Sequence, residues 1–276
     1  MSLTFTPLIF GDDKKLPLAR YQYVCSSVNY ASLSLEEACR RISELGYESI
    51  DIWDAIPPWL KCPHLQYAAE TLKADGLKKL LEKYRLKLCG FTVYSAGYAK
   101  YAEFLGQCGG GISIQGSRAP TTNSLTADMK KFMEELKPAI ELCEKHNFYL
   151  LIENHSGRVL LNKLDSFKAF VDLNVSDRIG IALAPHHILV NNESVVEAIR
   201  ICGERLRFIY MWSNEKGEQQ MPGVGKVDMK DWIIALNEIG YSRALTPFMH
   251  HEPLPNRMDE LHRQSLKYLR ELENKK

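Results

Sequence analysis

Short apolar runs recur along this chain between helical, charge-bearing stretches, and that alternation restricts the available folds. The runs cover residues 21–25, 48–53, 87–94, 109–116, 149–152, 178–184, 206–212 and 244–249. Several are apolar at nearly every position, as strands covered on both faces must be. Helical periodicity fills the gaps. Ser34-Leu35-Glu36-Glu37 has the form of a capping box, Ala38, Ile42 and Leu45 supply a stripe, and Gly46 ends that helix. Further helices are expected over about 65–84, with a break at Asp75-Gly76, and over 99–105, 129–146, 165–173, 192–202, 228–239 and 257–272. About eight strand–helix units in 276 residues predict an α/β fold, a single closed (β/α)8 barrel spanning 1–276, with an irregular lead-in over 1–19. The competing fold is an open doubly wound sheet. No glycine fingerprint follows the first strand, which argues against that fold and against a nucleotide cofactor.

Composition narrows the partners. A net charge of +1 without a long basic run gives a nucleic-acid partner little support. No apolar run reaches membrane-spanning length. The N-terminus lacks a basic segment followed by an apolar core, so no signal peptide is expected. The 7 cysteines are scattered, with no Cys-x-x-Cys, which suits reduced thiols and a cytoplasmic location. The three glycines at 109–111 read as turn residues, because no helix opens directly after them to cradle a phosphate.

In a barrel of this kind the C-terminal strand ends share one mouth, where chemistry collects. The fifth strand ends in Ile152-Glu153-Asn154-His155, and the period of two points Glu153 and His155 the same way. Of 8 histidines, His155, His186, His187, His250 and His251 fall just after strands five, six and eight, and His64 follows strand two. Such concentration on one face favours a site over isolated structural histidines. Trp53, Trp59, Tyr94 and Trp212 are candidates for an apolar wall against a sugar ring, with core packing as the alternative for each. Arg118 and Arg158 follow strands four and five; either is placed to hold a phosphate or carboxylate.

Three segments carry a family resemblance: Ile152-Glu153-Asn154-His155, then Ile179 through Ala184-Pro185-His186-His187, then Pro222-Gly223-Val224-Gly225-Lys226-Val227-Asp228. Together with Gly46 through Trp53 they resemble the xylose-isomerase-like TIM-barrel family, over about residues 20–272. That family holds sugar and sugar-phosphate isomerases and epimerases, inosose dehydratases and endonuclease-type repair enzymes. Its members typically bind a divalent metal through Glu, Asp, His and Glu on strands five to eight. The resemblance places Glu153 at the first position and keeps a histidine as His187. The other three positions fall at Ala184, Trp212 and Phe248, none of which ligates. A register slip of two on strand eight would offer His250 instead.

The resemblance therefore implies a sugar or sugar-phosphate isomerase or epimerase, acting by proton abstraction α to a carbonyl. Glu153 is the expected base, and His155, His187 or His250 the acid or enediolate stabiliser. Trp53, His64, Tyr94, Arg118 and Trp212 are the expected substrate contacts. Glu153, His187 and His250 form a reduced ligand set that would suit zinc or manganese. A dehydratase begins with the same proton abstraction. The altered ligand positions equally support a metal-less barrel that binds a sugar or a protein partner. DNA repair is disfavoured, since Asp228-Met229-Lys230 stands where the repair enzymes carry Asp-x-His.

Overall fold

Eight parallel strands close into a barrel in sequence order, with β1 paired to both β2 and β8. The computed structural model describes residues 21–55, 61–94 and 97–274. The lead-in over 1–19 and Trp59 lie outside them.

In chain order the elements are β1 (Gln22–Ser26), α1 (Leu35–Glu44), β2 (Ser49–Asp54), α2 (His64–Tyr67), α3 (Lys73–Lys83), β3 (Lys87–Val93), α4 (Tyr98–Gln107) and β4 (Gly111–Gly116). There follow α5 (Leu125–Glu135), α6 (Lys137–His146), β5 (Phe148–Glu153), α7 (Leu164–Leu173), β6 (Ile179–Leu183), α8 (Pro185–Val190) and α9 (Val195–Cys202). The chain then adds β7 (Leu206–Met211), α10 (Lys230–Glu238), β8 (Ala244–Pro247) and α11 (Pro255–Asn274). All eight expected strands form, with ends shifted by one or two residues.

The helices depart from expectation in three places, each with a local cause. The expected 129–146 helix is two, because Pro138 in the first turn of α6 cannot donate back to the preceding helix. The 65–84 stretch breaks at Lys73, where φ is +58°, and Gly76 sits inside α3. Pro185-His186-His187 opens the short helix α8, with proline at its start where no donor is lost. At α1, Ser34 Oγ accepts from the Glu37 amide at 3.2 Å, but the Glu37 carboxylate turns to Arg40 and Arg41, leaving the capping box half made.

The alternation of strand residues sorts the core into two shells. Val24, Ile114, Leu151, Ala182, Phe208 and Tyr210 fill the barrel interior. Intervening residues such as Ile52, Ile152, Ile181 and Ile209 pack outward with the helices. Each fully buried Leu, Ile or Phe contributes about 1.5–3 kcal/mol. Of the glycines at 109–111, Gly109 is a turn residue at φ +107° with open space around it, while a Cβ on Gly110 would lie 2.2 Å from the Asn147 carbonyl oxygen and one on Gly111 2.7 Å from that of Cys89.

Candidate active site at the C-terminal mouth

Strand β5 carries Glu153 at its last position and His155 two residues on, so both project into the mouth. Glu153 is 5% exposed. The Tyr94 hydroxyl, just past β3, donates to Glu153 Oε2 and lies 3.3 Å from His155 Nε2. His155 Nε2 is 3.9 Å from Glu153 Oε1. From α8, His187 brings its ring to 4.7 Å from that of His155, and its Nδ1 lies 3.1 Å from Ser156 Oγ. His187 Nε2 is buried with no partner among the described residues.

Burial sets the protonation of this group. Glu153 is pushed up to about 8, chiefly by loss of water; the Tyr94 hydrogen bond opposes the rise and the nearby Asp51 adds to it. Burial also lowers His187 to about 2, helped by repulsion from His155, His186 and His250. His155 is lowered by the same cause, and His250 falls to about 4. The imidazoles are therefore neutral near pH 7. They can donate or accept a hydrogen bond or ligate a metal, but they are not held as imidazolium acids.

One ligating atom each from Glu153, His155 and His187 lies within 4.8 Å of the others. His250 is outside this group. It sits on the exposed side of the mouth, its ring 4.5 Å from Trp212 and its amide donating to Gln220. The three-residue set fits a divalent cation on two grounds. The orphaned His187 Nε2 is a buried polar atom that wants a partner, and a buried carboxylate beside neutral imidazoles gains from a nearby positive charge. Ala184, Trp212 and Phe248 are buried and apolar, so the remaining positions of the family's ligand set offer no donor.

The other expected site residues divide. Trp53 and Trp212 are 3% and 1% exposed, and with Phe248 they form an aromatic plug beneath the mouth instead of an open wall. Tyr94 does present surface, at 37%. Arg118 lines a cavity of about 580 Å³ with Tyr94, Tyr98, Gln115 and His155. Its guanidinium is already held by Glu135 at 2.6 Å and by the Ala119 and Asp128 carbonyls. His64 is buried away from this group, its Nε2 2.9 Å from the Leu33 carbonyl.

One residue escaped the sequence reading. Asp51, fully buried on β2, accepts from Ser26 Oγ, Thr92 Oγ1 and, at 2.6 Å, Trp53 Nε1. Its signal was one acid between isoleucines in an otherwise apolar strand. His186 stacks on Trp212 at 4.1 Å and 12°, a role no spacing rule announces.

Residues 39–272 match the family described as xylose isomerase-like TIM barrel. The chain belongs to that family. Within the xylose isomerase-like barrels, it is 24% identical over 246 residues to fructoselysine 3-epimerase of Escherichia coli O157:H7, covering 76% of this chain and 83% of that one. Its backbone is similar to D-psicose 3-epimerase of Clostridium cellulolyticum H10, solved with D-tagatose, at a TM-score of 0.72, 15% identity and coverage of 91% and 99%. It is also similar to the IOLI protein solved with a zinc atom, at a TM-score of 0.70, 13% identity and coverage of 91% and 97%. At such identities the structural likeness speaks for the barrel.

Proposed function

We propose that this xylose isomerase-like barrel is a sugar epimerase or isomerase that removes a proton α to a carbonyl at its C-terminal mouth. The observation that carries the reading is the buried Glu153 carboxylate held by the Tyr94 hydroxyl beside a cavity lined by Tyr94 and His155. A base titrating near the working pH is well matched to proton abstraction from carbon. The fructoselysine and D-psicose 3-epimerase relatives support the same chemistry, inversion next to a ketone.

The chain's own groups supply the steps. A ketose lies in the cavity of about 580 Å³, within the size range of small-molecule sites. Ionised Glu153 takes the α-proton. Tyr94 releases its hydrogen bond to Glu153 as the carboxyl becomes neutral, freeing the phenol to donate to the developing enediolate oxygen. Neutral His155 completes the hydrogen bonding, a water on the opposite face gives the carbon its new proton, and the proton on Glu153 passes to the hydroxide left behind, restoring both groups and giving the epimer. Zinc or manganese bound by Glu153, His155 and His187 would supply Lewis-acid polarisation of the carbonyl. Arg118, at the cavity edge, offers recognition of an anionic substituent only by exchanging its bond to Glu135.

The test is incubation with a panel of ketohexoses and fructoselysine, followed by chromatographic detection of the C3 epimer. Turnover of at least one, abolished in Glu153→Gln, supports the reading. Failure across the panel, with unaltered retention of a bound sugar, favours a barrel that only binds.

A further inference from the structure

The opposite pole of the barrel holds a second cavity, of about 470 Å³. It is lined by strand beginnings, far from Glu153: Gln22 of β1, Cys89 of β3, Tyr149 of β5, Arg207 of β7 and Ala244 of β8, with Arg243 just before β8. An arginine at the floor of a packed barrel is out of keeping with the apolar residues around it, and the pairing register explains how it arrives. Ile181 pairs with Leu206 and Ala182 with Phe208, which leaves Arg207 as the extra residue of a bulge. Bulges re-aim side chains. This one brings the Arg207 guanidinium over the Tyr149 ring, Cζ 4.0 Å from the centroid.

The charge arrangement is incomplete. Arg207 donates from Nη2 to the Asp177 carbonyl at 3.2 Å, while its Nε is buried with no partner among the described residues. Among the described residues Arg243 donates only from Nη1, to the Glu204 and Leu206 carbonyls. Among the described residues no carboxylate lies within ion-pair distance of either guanidinium; Asp177 pairs with Arg205 instead. Burial lowers Arg207 and repulsion from Arg243 adds to it, while Tyr149 and Asp177 oppose the shift. Two neighbouring guanidiniums, one with a buried orphan donor, are destabilising in a folded protein unless an anion joins them.

We propose that this floor cavity binds a small anion carrying a phosphate or carboxylate group, gripped by Arg207 and Arg243. Guanidinium forks match both groups geometrically, and Gln22 and Asn147 on the same lining offer neutral polar contacts. The site is separate from the mouth, so an anion held there would stabilise the fold by mass action without occupying the place of a sugar.

The experiment is isothermal titration calorimetry and thermal unfolding of the intact protein with inorganic phosphate and, separately, succinate, at ionic strength held constant with sodium chloride. Saturable binding of at least one probe is expected, with a matching rise in Tm. Affinity should fall at least tenfold in both Arg207→Gln and Arg243→Gln and stay within twofold in Arg118→Gln and Glu153→Gln. If Arg207→Gln does not fold, the partly exposed Arg243 carries the comparison. No saturable binding of either probe overturns the proposal. So does binding lost in Arg118→Gln but kept in the floor variants, which would place the anion at the mouth. A rise in Tm shared by every variant would be the general stabilising action of the salt, and also overturns it.

Discussion

The Tyr94 hydroxyl donates to Glu153 Oε2 and lies 3.3 Å from His155 Nε2, joining β3 to β5 at the barrel mouth. That bond lowers the pKa of Glu153, against the larger upward push of burial. Tyr94→Phe should therefore do two things. Turnover should fall by about 10²-fold or more, the range for a lost acid–base partner. The ascending limb of the pH–rate profile, where Glu153 ionises, should move to higher pH. A pH–rate series on both proteins checks this; an unchanged limb would detach Tyr94 from the base.

Metal binding separates two ligand sets. The sequence pointed to Glu153, His187 and His250, while the structure gathers Glu153, His155 and His187. Zinc or manganese content, measured by mass spectrometry on protein purified without a metal-affinity step, should drop in Glu153→Gln, His155→Ala and His187→Ala. It should hold in His250→Ala. Loss in His250→Ala with retention in His155→Ala would restore the set read from sequence.

Asp51 gives a pH-dependent stability. Burial raises its carboxyl from 3.8 to about 7. The folded state therefore holds the proton more tightly than the unfolded chain. This contribution is fully present below about pH 4 and is lost as pH rises through about 7, worth roughly 4 kcal/mol over that window. Asp51→Asn removes the titration. Urea unfolding from pH 4 to pH 8 should show wild type losing stability relative to the variant as pH rises; a constant difference would contradict the assignment.

Much of the fold was legible in the sequence because buried parallel strands must be apolar on both faces, and eight such runs stand out between amphipathic helices. The bulges were not. Nothing in Arg207-Phe208 or Cys89-Gly90 states that one residue of each pair slips out of the ladder, since pairing register is decided by the neighbouring strand. At the site, Glu153 and His155 were legible from strand alternation. The neutrality of the histidines was not, because it follows from how far α8 and the Trp53–Phe248–Trp212 plug beneath the mouth keep water from them. His64 shows the reverse error: its position after β2 suggested the mouth, but the chain turns it onto the Leu33 carbonyl.

The β3 bulge brings Gly90 against β4, where an added Cβ would lie 2.3 Å from both Ile112 Cγ1 and the Ile112 carbonyl oxygen. Backbone cannot yield as a flexible side chain does. Gly90→Ala should cost about 3 kcal/mol, read as a lowered urea midpoint at unchanged slope. A neutral substitution would mean that the strands separate freely there.

The central claim is that Glu153 removes a proton from carbon, and deuterium incorporation reads that step directly. The protein would be incubated in D2O with a ketose that it turns over, and the C3 position followed by proton NMR. The account predicts loss of the C3 proton signal in step with epimer formation, and a rate lower by about 10²-fold or more in Glu153→Gln. Epimer formed without solvent deuterium, or exchange undiminished in Glu153→Gln, would contradict it.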